Sequence, residues 1–302
     1  MKCAGSCDLA PASLEYWRAR PAERKLLTSQ GILLAAMDRN TYFAGLFALA
    51  CANGLGSRMI ESVRELGWIA AILSTFEISV VVWVSCAAGL TMVVRNRGGD
   101  ILASDIVIGA VLLVLIVLPV GGLSWLAVAL LALYVAAYAD PESTVRRGAM
   151  ILLAVTVPML WSRLLFRYFA NLILQIDASL VSLMLRTPRS GNLVRFADDS
   201  GTLAIVPYCS SLHNVSLAIL TWVAVNQWLG RRWLRSDWQW IVLAVVAVVA
   251  VNVTRMSLMA LNTKSYQAIH GFWGDIVINL LTLSAVVGFC VIGVRRELFA
   301  RA

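Results

Sequence analysis

Charge is what this sequence has least of. Only 14% of its 302 residues are Asp, Glu, Lys or Arg, while 60% are hydrophobic, and the mean hydropathy is +0.80. A soluble domain of this composition would not stay in solution, so the chain reads as a polytopic membrane protein. The first forty residues also lack an apolar stretch of signal-peptide type. No cleaved leader is therefore expected, and the first membrane helix would serve as its own insertion signal. Nor do the six cysteines (3, 7, 51, 86, 209 and 290) make a disulfide framework, since most lie within or beside apolar runs. Cys3 and Cys7 are a lone pair, with too few ligands around them for a metal, and no cofactor is expected. Histidine is scarce as well: His213 and His270 are the two proton carriers of that type.

The apolar runs set out the expected architecture. Met1 to Asn40 reads as a cytoplasmic segment with one amphipathic helix on the membrane surface. Eight spans follow: Thr41 to Leu55, which is short; Trp68 to Val94, which contains Glu77; Ile101 to Val120; Leu123 to Ala139, after a turn at Gly121 and Gly122; a fifth from near Gly148 past Pro158 to Leu185; then Ser211 to Leu229, Trp240 to Leu261 and Asp275 to Val294. The fifth carries Arg163, Arg167, Asn171 and Gln175 at intervals of four, a polar stripe on one helical face. Between Arg186 and Tyr208 the pattern changes. Val194 and Phe196, then Leu203 and Ile205, alternate about the turn D-D-S-G, which predicts a β-hairpin outside the membrane. The expected fold class is thus an all-α polytopic membrane protein of about eight transmembrane helices, with a small extracytoplasmic β-hairpin before the Cys209 helix. Its parts would be residues 1–40, an N-terminal set of membrane helices at 41–147 and a catalytic core at 148–302.

Basic residues orient these spans, because cytoplasmic loops collect Lys and Arg. With both termini inside, sixteen of the twenty-five fall in inside segments, and R-R-W-L-R at Arg231 to Arg235 pins the last three helices. The net charge of +8 is dispersed over these loops, which assigns it to topology and anionic lipid and not to nucleic acid.

On that topology three reactive residue types reach one membrane face. Cys209 stands where an extended run meets a helix: Pro207 ends the first, and Ser210 or Ser211 caps the second. A helix start favours the thiolate, although most cysteines in apolar helices are small fillers. Arg255 lies about fifteen residues along its span, ~22 Å at ~1.5 Å per residue, near the outer face. A guanidinium there marks function, a paired structural charge or a snorkelling side chain. Asn252, three residues earlier on the same face, would hold Arg255 or donate a hydrogen bond of its own. His270 falls in the short loop before the last span, either as a proton carrier or as an interfacial side chain beside Gly271, Phe272 and Trp273. His213, one turn beyond Cys209, is a competing base. Asp275 is a candidate to orient His270. Glu77 is a second intramembrane charge with no evident partner. Cys, His and Arg together supply nucleophile, proton carrier and oxyanion stabiliser, the parts that acyl transfer needs.

The motifs P-Y-C-S-S-L at Cys209, N-V-T-R-M at Asn252 to Met256 and H-G-F-W-G at His270 to Gly274, in that order and separated by membrane helices, resemble the exosortase/archaeosortase family of integral-membrane cysteine transpeptidases. The likeness includes the preceding helix and G-N-L-V-R-F-A-D-D-S-G-T-L-A-I-V, and covers roughly residues 150–294; family members usually have glycine where this chain has Ser211. The resemblance implies a multi-pass protein of the inner (plasma) membrane with its site on the extracytoplasmic face. Its partners would be exported proteins ending in a short motif, a membrane helix and a basic tail, together with membrane lipids. Cys209 would form a thioester, Arg255 would stabilise the oxyanion, and His270 would protonate the leaving amine and activate the acceptor. The hairpin and the helix bearing Arg163 and Arg167 would wall the substrate groove. Three other readings stay open: a protease that only hydrolyses; a non-catalytic membrane component of an exopolysaccharide or envelope export system; and a transporter using Glu77 and Arg255.

Overall fold

A computed structural model describes residues 37–300 apart from Pro119 and residues 232–236. The expected surface helix, Cys3, Cys7 and most of R-R-W-L-R lie outside the described residues, as do the side chains of Asp275 and Cys290.

Asp38 starts the first helix. Its carboxylate accepts from the backbone N–H groups of Asn40 and Thr41 and from the Thr41 hydroxyl, which supplies partners that the first turn of a helix lacks internally. Helix α1 (Arg39–Leu66) runs from there for 28 residues, well past the short span the sequence suggests. The expected second span is broken in two. Helix α2 (Trp68–Leu73) stops at Ser74, and Thr75, Phe76 and Glu77 all take left-handed backbone conformations (φ 53°, 57° and 55°). The Thr75 hydroxyl donates to the Ser74 and Ile78 carbonyls, satisfying the turn locally, and Ser79 caps α3 (Val80–Val94). Glu77 is therefore in an exposed turn and not within a membrane helix. The two-charge basis of the transporter reading is lost with it.

Helices α4 (Ala103–Val117) and α5 (Gly121–Tyr138) follow. Gly121 and Gly122 are the first residues of α5 and not the turn before it. Helix α6 (Thr144–Thr156) passes through a π-helical turn at Val157–Trp161 into α7 (Ser162–Leu185). Pro158 has no N–H to donate to the ladder, so a widened turn forms around it. Phe169 bends α7 again (φ −126°, ψ 20°).

Three short strands come next, β1 (Arg189–Ser190), β2 (Leu193–Arg195) and β3 (Thr202–Ala204). They form an antiparallel sheet in the order β1-β2-β3, one strand more than the expected hairpin, with Val194 opposite Leu203. Val194, Phe196, Leu203 and Ile205 are buried, as their alternation predicts. The last helices are α8 (Ser211–Trp228), α9 (Asp237–Met259), α10 (Thr263–Ile269) and α11 (Phe272–Ala300).

Among the described residues five helices are long and apolar enough to cross a membrane: α1, α5, the continuous rod of α6 and α7, α9, and Ile276–Gly293 within α11. The sequence reading expects eight. Helices α3 and α4 are apolar but have 15 residues each, a rise of ~22 Å against a hydrocarbon core of ~30 Å. Helix α8 carries Ser211, His213, Asn214 and Ser216 in its first two turns. The bundle is nonetheless built for lipid. Only Asp105, Gly109, Leu112 and Ile116 of α4 face inward, while Val107, Val111 and Val114 are 60–64% exposed. A helix apolar on every side with one narrow buried stripe has hydrocarbon around the rest. The structure is a multi-pass membrane helical bundle.

The larger core cluster joins α1, α3, α4, α5 and α6 and takes in Leu220 of α8. Close approach of α3 and α6 depends on two glycines. A Cβ at Gly148 would lie 2.7 Å from the Gly89 carbonyl oxygen, and one at Gly89 would meet Leu152. The second cluster joins α7, the sheet and α9.

Two buried ion pairs stand at the bundle end away from Cys209. Arg39 grips Asp105 through Nε (2.7 Å) and Nη2 (2.8 Å), stacks over Tyr138 at 3.7 Å, and Asp105 also accepts from the Tyr134 hydroxyl. Arg231 pairs with Asp237 at 2.8 Å. Asp105→Ala leaves the Arg39 guanidinium buried without its carboxylate and should destabilise the protein by about 3 kcal/mol, read by thermal unfolding in neutral detergent. The double variant Arg39→Met/Asp105→Leu should recover most of that loss. At the same end the Gly98 backbone N–H, then those of Thr41 and Asn40 and the Thr41 hydroxyl, hold Asp38 at a pKa of about 2, below the usual carboxylate value. A depressed folded-state pKa contributes stability that is complete above the unfolded value near 4 and lost as pH falls through about 2. Asp38→Ala should therefore cost about 1 kcal/mol at neutral pH, and its difference from wild type should shrink between pH ~4 and ~2.

Candidate functional site

Cys209 is the last residue of a single 3-10 turn, Pro207–Cys209, that reverses the chain between the sheet and α8. Val206 is extended, Pro207 sets the turn, and the Cys209 N–H donates to the Val206 carbonyl at 2.9 Å. The cysteine is half-buried. It packs against the second core cluster, which includes Ile205 and Val253 and which Val249 of α9 and Tyr266 and Ile269 of α10 also border.

Asn252 fixes this turn. Its Nδ2 donates to the Cys209 carbonyl at 2.8 Å and to the Ser211 hydroxyl at 3.1 Å, and its Oδ1 accepts from Asn214 at 3.3 Å. The residue is 2% exposed, so each bond forms where water does not compete. Two of the sequence motifs thus meet through one side chain. Ser210 caps α8 by accepting the Leu212 N–H, as the sequence suggests. Ser211, also buried, is not merely tolerated in place of glycine: its hydroxyl is one of the Asn252 acceptors.

A residue that the sequence reading passes over completes the turn. Asp177 of α7 is 3% exposed, and its carboxylate accepts the Ser211 N–H at 3.0 Å. It lies two residues past Gln175 and so off the four-residue stripe; its one signal is an acidic residue inside an apolar run. The finding corrects part of the thiolate argument. The Ser211 and Leu212 amides are already occupied, the first by an acid, so the start of α8 does not by itself favour a thiolate at Cys209. Positive charge has to come from elsewhere.

Arg255 is the basic residue nearest to Asn252 in the sequence. It lies three residues beyond Asn252 on the same face of α9, ~4.5 Å further along the axis, and it is half-buried. His270 is exposed at the C-terminal end of α10, where its ring stacks on Tyr266 at a centroid distance of 5.1 Å. Tyr266 in turn packs against the cluster that holds Cys209. The sheet closes the same corner: the Ala197 N–H donates to the Ala260 carbonyl, and the Ser200 and Thr263 hydroxyls meet at 3.3 Å. Gly274, the last residue of H-G-F-W-G, touches the backbone of Ile269 so closely that a Cβ would collide with its carbonyl.

The other candidates stand apart from this turn. Arg163 and Arg167 line a cleft of about 630 Å³ between α1, α5 and the α6–α7 rod. His213, in the first turn of α8, is exposed and makes none of the Asn252 contacts. Among the described residues no group of three or more His, Cys, Asp or Glu side chains is arranged to hold a metal.

No protein-family model, characterised protein or solved structure compared with this chain matches it.

Asp177→Asn keeps an acceptor for the Ser211 amide and removes the acid. It should speed alkylation of Cys209 at neutral pH by roughly three- to tenfold, and Arg255→Gln should slow it by a similar factor. Maleimide labelling rates of the purified protein, with the other cysteines replaced, check both.

Proposed function

We propose that this protein is a membrane cysteine peptidase or transpeptidase of exosortase type, which cleaves the C-terminal sorting signal of exported proteins through a thioester on Cys209. The observation that carries the reading is the Asn252 hydrogen bond to the Cys209 carbonyl, which joins P-Y-C-S-S-L to N-V-T-R-M. The stacking of His270 on Tyr266 adds the third motif to the same corner of the bundle.

The reaction runs as acyl transfer. The Cys209 thiolate attacks the scissile carbonyl and forms a carbon–sulfur bond, while the Arg255 guanidinium faces the resulting oxyanion. The carbon–nitrogen bond then breaks, and the His270 imidazolium gives its proton to the leaving amine. In the second half His270 takes a proton from the acceptor, the acceptor attacks the thioester, and the thiolate leaves. An amine or hydroxyl acceptor gives transfer; water gives hydrolysis.

In this proposal α3, α4 and α8 also cross the bilayer, giving eight passes with both termini on the cytoplasmic side of the inner membrane. An alternating path of this kind puts sixteen of the twenty-five basic residues on one side. The Cys209 end then faces outward, at the depth where a substrate held by its own membrane helix presents the segment outside it. Tethering in the plane of the membrane raises its effective concentration.

Co-expression with exported proteins that end in a short motif, a helix and a basic tail tests the reading. Wild type should shorten the substrate, Cys209→Ala should abolish processing at unchanged membrane abundance, and Arg255→Gln and His270→Ala should each slow it by at least about a hundredfold. The mass of the new C-terminus separates transfer from hydrolysis. Equal processing by wild type and Cys209→Ala would overturn the assignment of the nucleophile and favour a non-catalytic export component.

A further inference from the structure

The cleft that holds Arg163 and Arg167 is a second feature of the Cys209 end, and its lining is unusual for a bundle in lipid. Arg58 and Arg64 reach it from α1 and Arg163 and Arg167 from α7, against two carboxylates, Glu61 and Glu65. One of these is committed to Arg58, with Nη1 to Oε2 at 2.9 Å. Four guanidiniums from two helices line one space with an excess of positive charge, and like charges brought together repel. Contrast the opposite end, where Arg39 and Arg231 each have a buried carboxylate.

The space itself is maintained by the fold. Trp125 forms its floor and is 2% exposed. A Cβ at Gly54 would come within 2.7 Å of that indole, and one at Gly121 would run into Ser57. These glycines let Trp125 and Ser57 pack tightly into the wall of a cleft of about 630 Å³, in the range of small-molecule sites.

Its height in the bundle is informative. Arg58 is nineteen residues along α1 and Arg163 nineteen along the α6–α7 rod, ~28 Å from the opposite end in each case. With a hydrocarbon core of ~30 Å, both stand at the level of the lipid phosphates. Leu220, in the helix that follows Cys209, belongs to the core cluster of Met159 and Leu160, which line the cleft. The cleft thus opens beside the Cys209 helix.

We propose that this cleft is a binding site for a net-anionic phosphate group, held by Arg58, Arg64, Arg163 and Arg167. Guanidiniums bind phosphate oxygens through paired N–H donors, so four of them suit this chemistry better than a single carboxylate. The source is either the headgroup of an anionic phospholipid or a soluble phosphate compound. Binding at this site does not depend on the peptidase reading.

The test uses the full chain in neutral detergent, with dioctanoyl phosphatidylglycerol, dioctanoyl phosphatidylcholine and inorganic phosphate as probes and the melting midpoint as readout, since a ligand that binds only the folded state raises it. Phosphatidylglycerol or inorganic phosphate should raise the midpoint saturably, and phosphatidylcholine should not. A response to phosphatidylglycerol alone identifies a lipid headgroup; an equal response to inorganic phosphate identifies a soluble anion. Arg163→Gln/Arg167→Gln should need at least ten times more ligand for half of the shift, and Arg163→Lys/Arg167→Lys should retain part of the affinity. Arg189→Gln, in the sheet, should bind as wild type does. If the double glutamine variant does not fold, Arg64→Gln takes its place with the same expected direction. No saturable shift with either anionic probe, or the same half-saturation in wild type and the cleft variants, would overturn the proposal. Because the readout is ligand binding, its failure would leave cleavage at Cys209 untouched, and loss of cleavage would leave the binding result standing.

Discussion

One buried amide organises the part of this protein that carries its chemistry. Asn252 enters from α9, donates to the Cys209 carbonyl and the Ser211 hydroxyl, and accepts from Asn214. In an apolar bundle each of those groups would be expensive to leave unpaired. The turn before α8 and the middle of α9 are therefore held in one register. Asp177 takes the Ser211 amide from α7, so three helices meet at two consecutive serines. A cysteine at the end of such a turn has little backbone freedom, and pre-organisation of that kind is what a nucleophile requires. The same arrangement sets an electrostatic condition. With an acid already at the helix start, the proposed thiolate would need a cation beyond the turn, the role proposed for Arg255 on the Asn252 face.

How far the sequence disclosed this differs from residue to residue, for physical reasons. The sheet was legible because Val194, Phe196, Leu203 and Ile205 alternate about D-D-S-G, and burial of one face fixes register. The capped start of α8 was legible because Pro207 and Ser210 act on their own neighbours. Asn252 drew notice through its spacing from Arg255, but its partner lies 43 residues away, and no local pattern shows that. Asp177 was hidden for the same reason, its partner being a backbone amide 34 residues on. The break at Thr75–Glu77 carried no Gly or Pro signal. Three residues with side chains adopt positive φ there, sustained by hydrogen bonds of Ser74 and Thr75 to nearby carbonyls. Three of the eight expected spans fall outside the five helices that are both long and apolar enough to cross: α3 and α4 are apolar but short, and α8 is long enough but polar.

The two ends of the bundle differ in how charge is arranged. At one end Arg39 and Arg231 meet buried carboxylates, with aromatic rings packed over the first pair. Those charges are neutralised in place, and they tie α1 to α4 and the end of α8 to the start of α9. Such pairs fix helix registry and leave no space for a ligand. At the other end stand the half-buried Cys209 and Arg255, the exposed His270 and a cleft lined by four arginines and two glutamates. The cleft gathers four guanidiniums against two carboxylates, and a net positive lining of that kind is balanced most readily by an anion from outside the chain, which is the basis of the proposed phosphate site.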